Sequence, residues 1–175
     1  MIALPRPSGR GRATLLEALK ARESPREFSP KELPLQVLSD LLWAAFGANR
    51  PQEIDLYVAL KSGLYAYRPK EHELAQVSAD DVRSRTGSQD SVGPAPLYLI
   101  YVADSSRMTQ ASEEDQRWYS RPDACAIAQN VYLFCASAGL ATVVRGGMDR
   151  AFFGVLLRLE PGRQIVLAQT VGYPA

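Results

Sequence analysis

The side chains best placed for chemistry in this sequence are arginines and a serine. In Arg22-Glu23-Ser24-Pro25-Arg26-Glu27-Phe28, the residues Arg22, Ser24 and Arg26 fall at every second position, and alternate residues of an extended chain face the same way. Pro25 favours that geometry, because its ring fixes its own φ and its Cδ pushes Ser24 towards extended backbone. Two planar guanidinium forks flanking a hydroxyl suit a phosphate monoester, since each fork can donate two charge-assisted hydrogen bonds. The competing reading is a surface turn in which Arg22 and Arg26 pair with Glu23 and Glu27.

A second stretch, Gly139-Leu140-Ala141-Thr142-Val143-Val144-Arg145-Gly146-Gly147-Met148-Asp149, reads as a strand running into paired glycines before a helix. Glycines at such a bend let backbone N–H groups approach a flat ligand closely.

Several other chemistries are excluded. His72 is the single histidine and stands in a polar stretch, where a surface position is expected. Without a second histidine, a serine triad or a histidine-based zinc site is hard to assemble. No Walker pattern occurs, and no Gly-x-Gly-x-x-Gly turn follows a strand, so the common nucleotide-binding loops are missing. The net charge is +1 with both signs scattered, which gives neither nucleic acid nor anionic lipid a basic face. Apolar runs fall short of the roughly 20 residues a membrane span needs, and Met1-Ile2-Ala3-Leu4-Pro5 has no continuous apolar signal core. A cytoplasmic protein with a small-molecule partner is therefore expected. Cys125 and Cys135 share one expected helix, about 15 Å apart at 1.5 Å per residue, too far for a disulfide.

The elements that must position these residues follow from periodicity. With 175 residues, 46% of them hydrophobic, the chain forms one domain or one protomer of an intimate oligomer. Residues 14–21 read as a short helix with Leu15, Leu16 and Leu19 on one side, delivering the arginine comb. Ser29-Pro30-Lys31-Glu32 has the form of a capping box before a helix over 35–46, with Val37, Leu38, Leu41, Leu42 and Ala45 as its buried stripe and Gly47 as its stop. Residues 53–60 and 64–68 form an antiparallel hairpin turned by Lys61-Ser62-Gly63, and Ser78 caps a brief helix ending near Gly87. Residues 97–102 read as an interior strand. The polar stretch 105–120 is either a solvated helix or an active-site cover carrying Trp118 and Tyr119. Ser120-Arg121-Pro122-Asp123 then opens a helix over 124–138 that is apolar on nearly every side, suiting a core helix or a two-fold dimer seam. Strands at 140–144 and 164–171 flank a helix over 149–157, so the fold class is α+β.

Taken with Asp123-Ala124-Cys125-Ala126-Ile127-Ala128-Gln129-Asn130 and Ala168-Gln169-Thr170-Val171-Gly172-Tyr173-Pro174, the comb and the diglycine bend resemble the nitroreductase family, in the branch that also holds the SagB/ThcOx-type dehydrogenases. The resemblance runs from about Leu4 to Pro174. It implies one nitroreductase-like domain over residues 1–175, with a central, mostly antiparallel sheet flanked by helices, in an interlocked homodimer that holds FMN at each interface site. Arg22, Ser24 and Arg26 match the residues that hold the FMN phosphate and ribityl chain, while Glu23 stands where the family commonly has another basic residue. Val144, Arg145, Gly146 and Gly147 match the strand end beside the isoalloxazine ring, with the Gly146 N–H as donor to flavin N5. The implied reaction is ping-pong: NAD(P)H reduces FMN, and a nitroaromatic, quinone or similar small acceptor takes the electrons. Neither a metal nor a particular catalytic side chain is implied.

Two departures from the family pattern lower the expected FMN affinity. Between Pro51 and Gln52 the family has a loop with a Pro-Ser-x-x-Asn element reaching the flavin pyrimidine edge; Gln52 matches the residue just beyond it, and Asn49 could substitute. The sequence also stops at Ala175, where many relatives continue with a basic tail. Two further readings stand beside the NAD(P)H oxidoreductase: an azoline dehydrogenase acting on a modified peptide, and a structural dimer that has lost turnover.

Overall fold

The structure, a computed structural model, describes residues 1–9, 13–47, 53–87 and 95–175. Its frame is one seven-stranded sheet in the order β1-β4-β3-β2-β5-β7-β6, every neighbouring pair antiparallel. β2 (Ile54–Leu60) and β3 (Gly63–Arg68) are the expected hairpin. Glycine is required at its turn: Gly63 has φ of 134°, and a Cβ there would come within 2.3 Å of the Ser78 carbonyl oxygen. β5 (Leu97–Asp104) is buried along all eight residues and lies between β2 and β7 (Arg163–Gly172). β6 (Ala141–Arg145) closes the sheet on one side.

The two faces of β5 feed two cores, as the alternation of a strand dictates. Leu97, Leu99, Tyr101 and Ala103 pack with α2 (Leu35–Phe46) and α3 (Glu113–Ala138). Tyr98, Ile100 and Val102 pack on the opposite side with Phe28 and with Phe153 of α4 (Arg150–Leu156). A buried polar chain crosses the first of these cores. Tyr101 Oη donates to Gln169 Oε1 at 2.6 Å, and Gln169 Nε2 donates to Thr142 Oγ1 at 3.0 Å and to the Ala128 carbonyl at 3.3 Å.

Several elements differ from the sequence reading. β1 (Ile2–Ala3) and β4 (Glu73–Ser78) extend the sheet beyond the hairpin, and the brief helix after Ser78 reduces to one 3₁₀ turn, Arg83–Arg85. The capping box sits one helix earlier: Thr14 and Glu17 exchange it at the start of α1 (Leu15–Ala21), whereas Ser29 Oγ only accepts the Lys31 N–H. α3 does not begin at Pro122 but runs through it, 26 residues from the Ser112 cap. Proline fixes a φ that helices accept, so a long helix can continue past it, at the cost of one hydrogen bond and of crowding between its ring and the carbonyl four residues back. Trp118 and Tyr119, in its first half, are exposed. Nor is α3 buried all round: Ala124, Ile127, Ala128, Val131 and Cys135 form one buried stripe, and Cys125, Ala126 and Gln129 face outward. Leu15, Leu16 and Leu19 are likewise exposed, with only Ala18 of α1 buried.

His72 is not a plain surface residue. Its half-buried ring lies 2.7 Å from Ser39 Oγ, 3.1 Å from the Pro5 carbonyl and 2.9 Å from Tyr67 Oη. Nε2 fastens the amino-terminal segment through Pro5, and Nδ1 meets Tyr67 of β3, so both ring nitrogens are engaged and the imidazole has a structural role. Cys125 is exposed and Cys135 buried, where desolvation pushes its thiol far up. No helix among the described residues is long and apolar enough to cross a membrane.

Candidate functional site

The comb begins where α1 ends. Arg22 leaves helical geometry at φ −64°, ψ 116°, and the chain then passes α3 and reaches Phe28, which bridges to Pro174 beside β7. Tyr132 of α3 meets it twice. Its ring lies 5.4 Å from the Arg22 guanidinium carbon, within cation–π range, and its hydroxyl is 3.0 Å from Ser24 Oγ, either atom serving as donor. The same phenol oxygen accepts the Val144 N–H at 3.0 Å. β6 is an edge strand, so some of its backbone groups have no strand partner and must find one elsewhere. One tyrosine thus joins the comb to the strand that leads into the diglycine bend.

Arg22 and Arg26 are exposed and Ser24 half-buried. Among the described residues no ion pair joins either arginine to a carboxylate, so the alternative turn, paired through Glu23 and Glu27, does not form. At the bend, Gly146 and Gly147 are exposed, and a Cβ built on Gly146 would meet no atom within 4 Å. Arg150 Nη1 donates to the Gly146 carbonyl at 3.0 Å, and Asp149 caps α4 through the Phe152 N–H. These contacts fix the bend while leaving its outer side clear.

Arg145 behaves differently from its neighbours. It is 8% exposed; Nε donates to Thr170 Oγ1 at 2.7 Å, and Nη2 is buried with no acceptor. Burial lowers its pKa, the nearby Tyr98 opposes that shift, and Arg26 adds to it by like-charge repulsion. Arg22, Ser24, Arg26, Val144, Arg145, Gly146 and Gly147 therefore gather at one end of β6. Gln52 and Asn49, with the loop question between Pro51 and Gln52, lie outside the described residues.

Tyr132 escaped the sequence reading. Its signal was weak: it stands four residues after buried Ala128, on an α3 face that looks like ordinary core. A cavity of about 210 Å³ opens between comb, α3 and β6, lined by Glu23, Pro25, Tyr132, Ala136 and Thr142. A larger one, about 600 Å³ and bounded by Val37, Trp43 and Phe134, includes neither the comb nor the bend. The smaller touches the comb only through Glu23 and Pro25, so Arg22, Ser24, Arg26 and the diglycine bend line neither cavity.

Glu53, at the foot of β2, is buried with Oε1 unpartnered. Its carboxyl is pushed up to about 7, first by desolvation, then by a hydrogen bond shared with Asp123, while Arg107 pulls the other way.

The donors at this site fit a phosphorylated flavin: two unneutralised guanidiniums and a hydroxyl for an anion, and an unobstructed glycine for a flat ring. The profile of the Nitroreductase family matches residues 19–173. The chain belongs to the nitroreductase family. Among solved structures, this nitroreductase-family chain is similar to a protein of Ralstonia eutropha JMP134 provisionally named a nitroreductase, with TM-score 0.91 and 42% identity over 99% of this chain and 89% of that one. A Methanocaldococcus jannaschii protein, also provisionally named a nitroreductase, is 29% identical over 75% of this chain and 78% of its own. A chain of the Escherichia coli McbBCD microcin synthetase complex shares the nitroreductase fold at TM-score 0.74 and 15% identity, over 98% of this chain and 78% of that one.

Proposed function

We propose that this chain is an FMN-dependent NAD(P)H oxidoreductase of the nitroreductase type. It forms a single domain over residues 1–175, works as a homodimer, and passes electrons to a nitroaromatic, quinone or similar small acceptor. The observation that carries the reading is the Tyr132 hydroxyl, within 3.0 Å of both Ser24 Oγ and the Val144 nitrogen. It brings Ser24 of the comb and Val144 of the strand leading into the bend, 120 residues apart in the sequence, onto one side chain.

Bound here, FMN supplies the redox chemistry, as flavins do in any protein that orients them. Arg22 and Arg26 hold the phosphate by charge-assisted hydrogen bonds, and the Ser24 hydroxyl adds a third donor. The Gly146 N–H is a fixed donor at the ring, where such pre-set dipoles favour developing negative charge. The Arg150 bond to the Gly146 carbonyl holds that peptide in orientation.

The homodimer accounts for apolar surface that a lone chain leaves wet. Leu16 is 76% exposed beside Leu15 and Leu19, and Trp43 lines the 600 Å³ groove. Contiguous apolar surface of this kind marks an interface.

A visible spectrum tests the reading. Protein saturated with FMN is expected to retain yellow colour after desalting and to bleach on adding NADH or NADPH under argon. Turnover of a nitroaromatic without peptide separates this activity from azoline dehydrogenation. Colourless protein with no thermal shift on FMN addition refutes the assignment.

A further inference from the structure

Arg145 carries a positive charge into a place where every identified neighbour is a hydroxyl or another cation. Thr170 takes its Nε, Tyr98 lies near, and Arg26 is the second charge that acts on it. Asp81 acts on Tyr98. Asp81 is already held by Arg83, whose Nε and Nη2 donate to its two oxygens at 2.9 and 2.8 Å. No carboxylate is left for Arg145 among these groups. A buried guanidinium with an unmade hydrogen bond is costly, and a like charge beside it raises the cost. An oxyanion between the two arginines removes both penalties at once, because each can donate to it.

We propose that Arg145 and Arg26 together bind a phosphate-type oxyanion at the end of β6, with Arg145 Nη2 as its buried donor. The role belongs to the Arg145 side chain, beyond the backbone position that the family resemblance assigned to it. It deepens the flavin reading, on which it rests only for the source of the anion: the phosphate of FMN, or an oxyanion carried by a substrate. The site itself stands on the buried donor and the missing carboxylate.

The experiment measures thermal shifts of the cofactor-free protein with inorganic phosphate, FMN and riboflavin at constant ionic strength. It compares the natural chain with Arg145→Gln, Arg145→Lys, Arg26→Gln and, as a control on a distant exposed arginine, Arg68→Gln. Saturable stabilisation by inorganic phosphate is expected in the natural chain and in Arg68→Gln, reduced in Arg145→Lys, which keeps charge without the planar fork, and lost in Arg145→Gln. Arg26 is exposed, so Arg26→Gln reports on the site without disturbing the core, and its phosphate response must fall too. If the anion belongs to the cofactor, Arg145→Gln weakens FMN about tenfold, the scale of one charged hydrogen bond, and leaves riboflavin unchanged. If it belongs to a substrate, FMN affinity holds and the FMN-loaded protein still responds to phosphate through Arg145. Absence of FMN binding with the phosphate response intact removes the flavin reading and leaves this site standing. Two results overturn the site. One is a phosphate response that is absent, or equal in the natural chain and Arg145→Gln. The other is an Arg145→Gln protein whose only change is a shifted monomer–dimer equilibrium, which assigns the guanidinium to a subunit contact.

Discussion

The phenol oxygen of Tyr132 accepts the Val144 N–H at 3.0 Å, and so fastens the middle of α3 to an edge strand. Ser24 Oγ on the same oxygen makes the tyrosine a strut between the comb and the strand leading into the bend. Tyr132→Phe keeps the packing and the ring beneath Arg22 but leaves the Val144 N–H and the Ser24 hydroxyl unpartnered. A loss of about 1–2 kcal/mol in urea unfolding is expected, together with weaker FMN binding by fluorescence titration. An unchanged dissociation constant means that the comb positions itself without the strut.

Arg22→Ala removes a charged donor that no carboxylate competes for. FMN binding should weaken by about 1.5–3 kcal/mol, while riboflavin, which has no phosphate, binds as before. Equal loss for both flavins places Arg22 at the ring or ribityl chain instead.

Gly146→Val separates binding from folding. A Cβ at Gly146 meets nothing within 4 Å and the backbone is not in the left-handed region, so the cofactor-free unfolding free energy should hold within about 0.5 kcal/mol. The branched side chain then occupies the ground where a flat ring would lie, and flavin retention through a desalting column should disappear. A variant that keeps its yellow colour refutes the placement.

Glu53 makes stability depend on pH. Its folded-state pKa, about 7, stands above the ordinary 4.5, so between those values the folded chain holds a proton that the unfolded chain has lost. Stability from this group is complete below pH 4.5 and drains away as pH rises through 7, on the order of 3 kcal/mol in total. Glu53→Gln can still donate to Asp123 and carries no charge to desolvate. Urea midpoints from pH 5 to 8 should fall in the natural chain and stay nearly level in this variant; parallel curves refute the assignment to Glu53.

Leu16→Asp places a charge on the exposed face of α1. With Leu16 76% exposed in the single chain, folding should survive, and a dimer that buries this face should not. Light scattering at micromolar concentration is expected to show monomer with unchanged far-ultraviolet circular dichroism. A persistent dimer moves the interface elsewhere.

Much of the frame could be read from period alone. β5 is a continuous apolar run because both of its faces are covered, and the hairpin announces itself at Lys61-Ser62-Gly63. β4 could not be recognised: its burial is uneven, and Gln76 and Val77 are both exposed, which erases the alternation. The sequence opens this helix at 124, after Ser120-Arg121-Pro122-Asp123, whereas α3 starts at Glu113, because a proline that opens a helix and one that interrupts it look alike in one dimension. At the site, the spacing of Arg22, Ser24 and Arg26 carried its own meaning. Tyr132 did not, since a phenol speaks for itself only when its two partners, one from each end of the chain, are in view. The buried side chain of Arg145 was equally silent, because an arginine at a strand end ordinarily points to water.

The chain of bonds from Tyr101 through Gln169 to Thr142 acts as a notch between three strands and α3. Were β6 to slip along β7 by a single residue, Thr142 would leave Gln169, Arg145 would swing across to the opposite face, and the Val144 amide would lose its tyrosine. Gln169 thereby indexes where the diglycine bend must fall. Drift at that position would shift the site without touching any of its members.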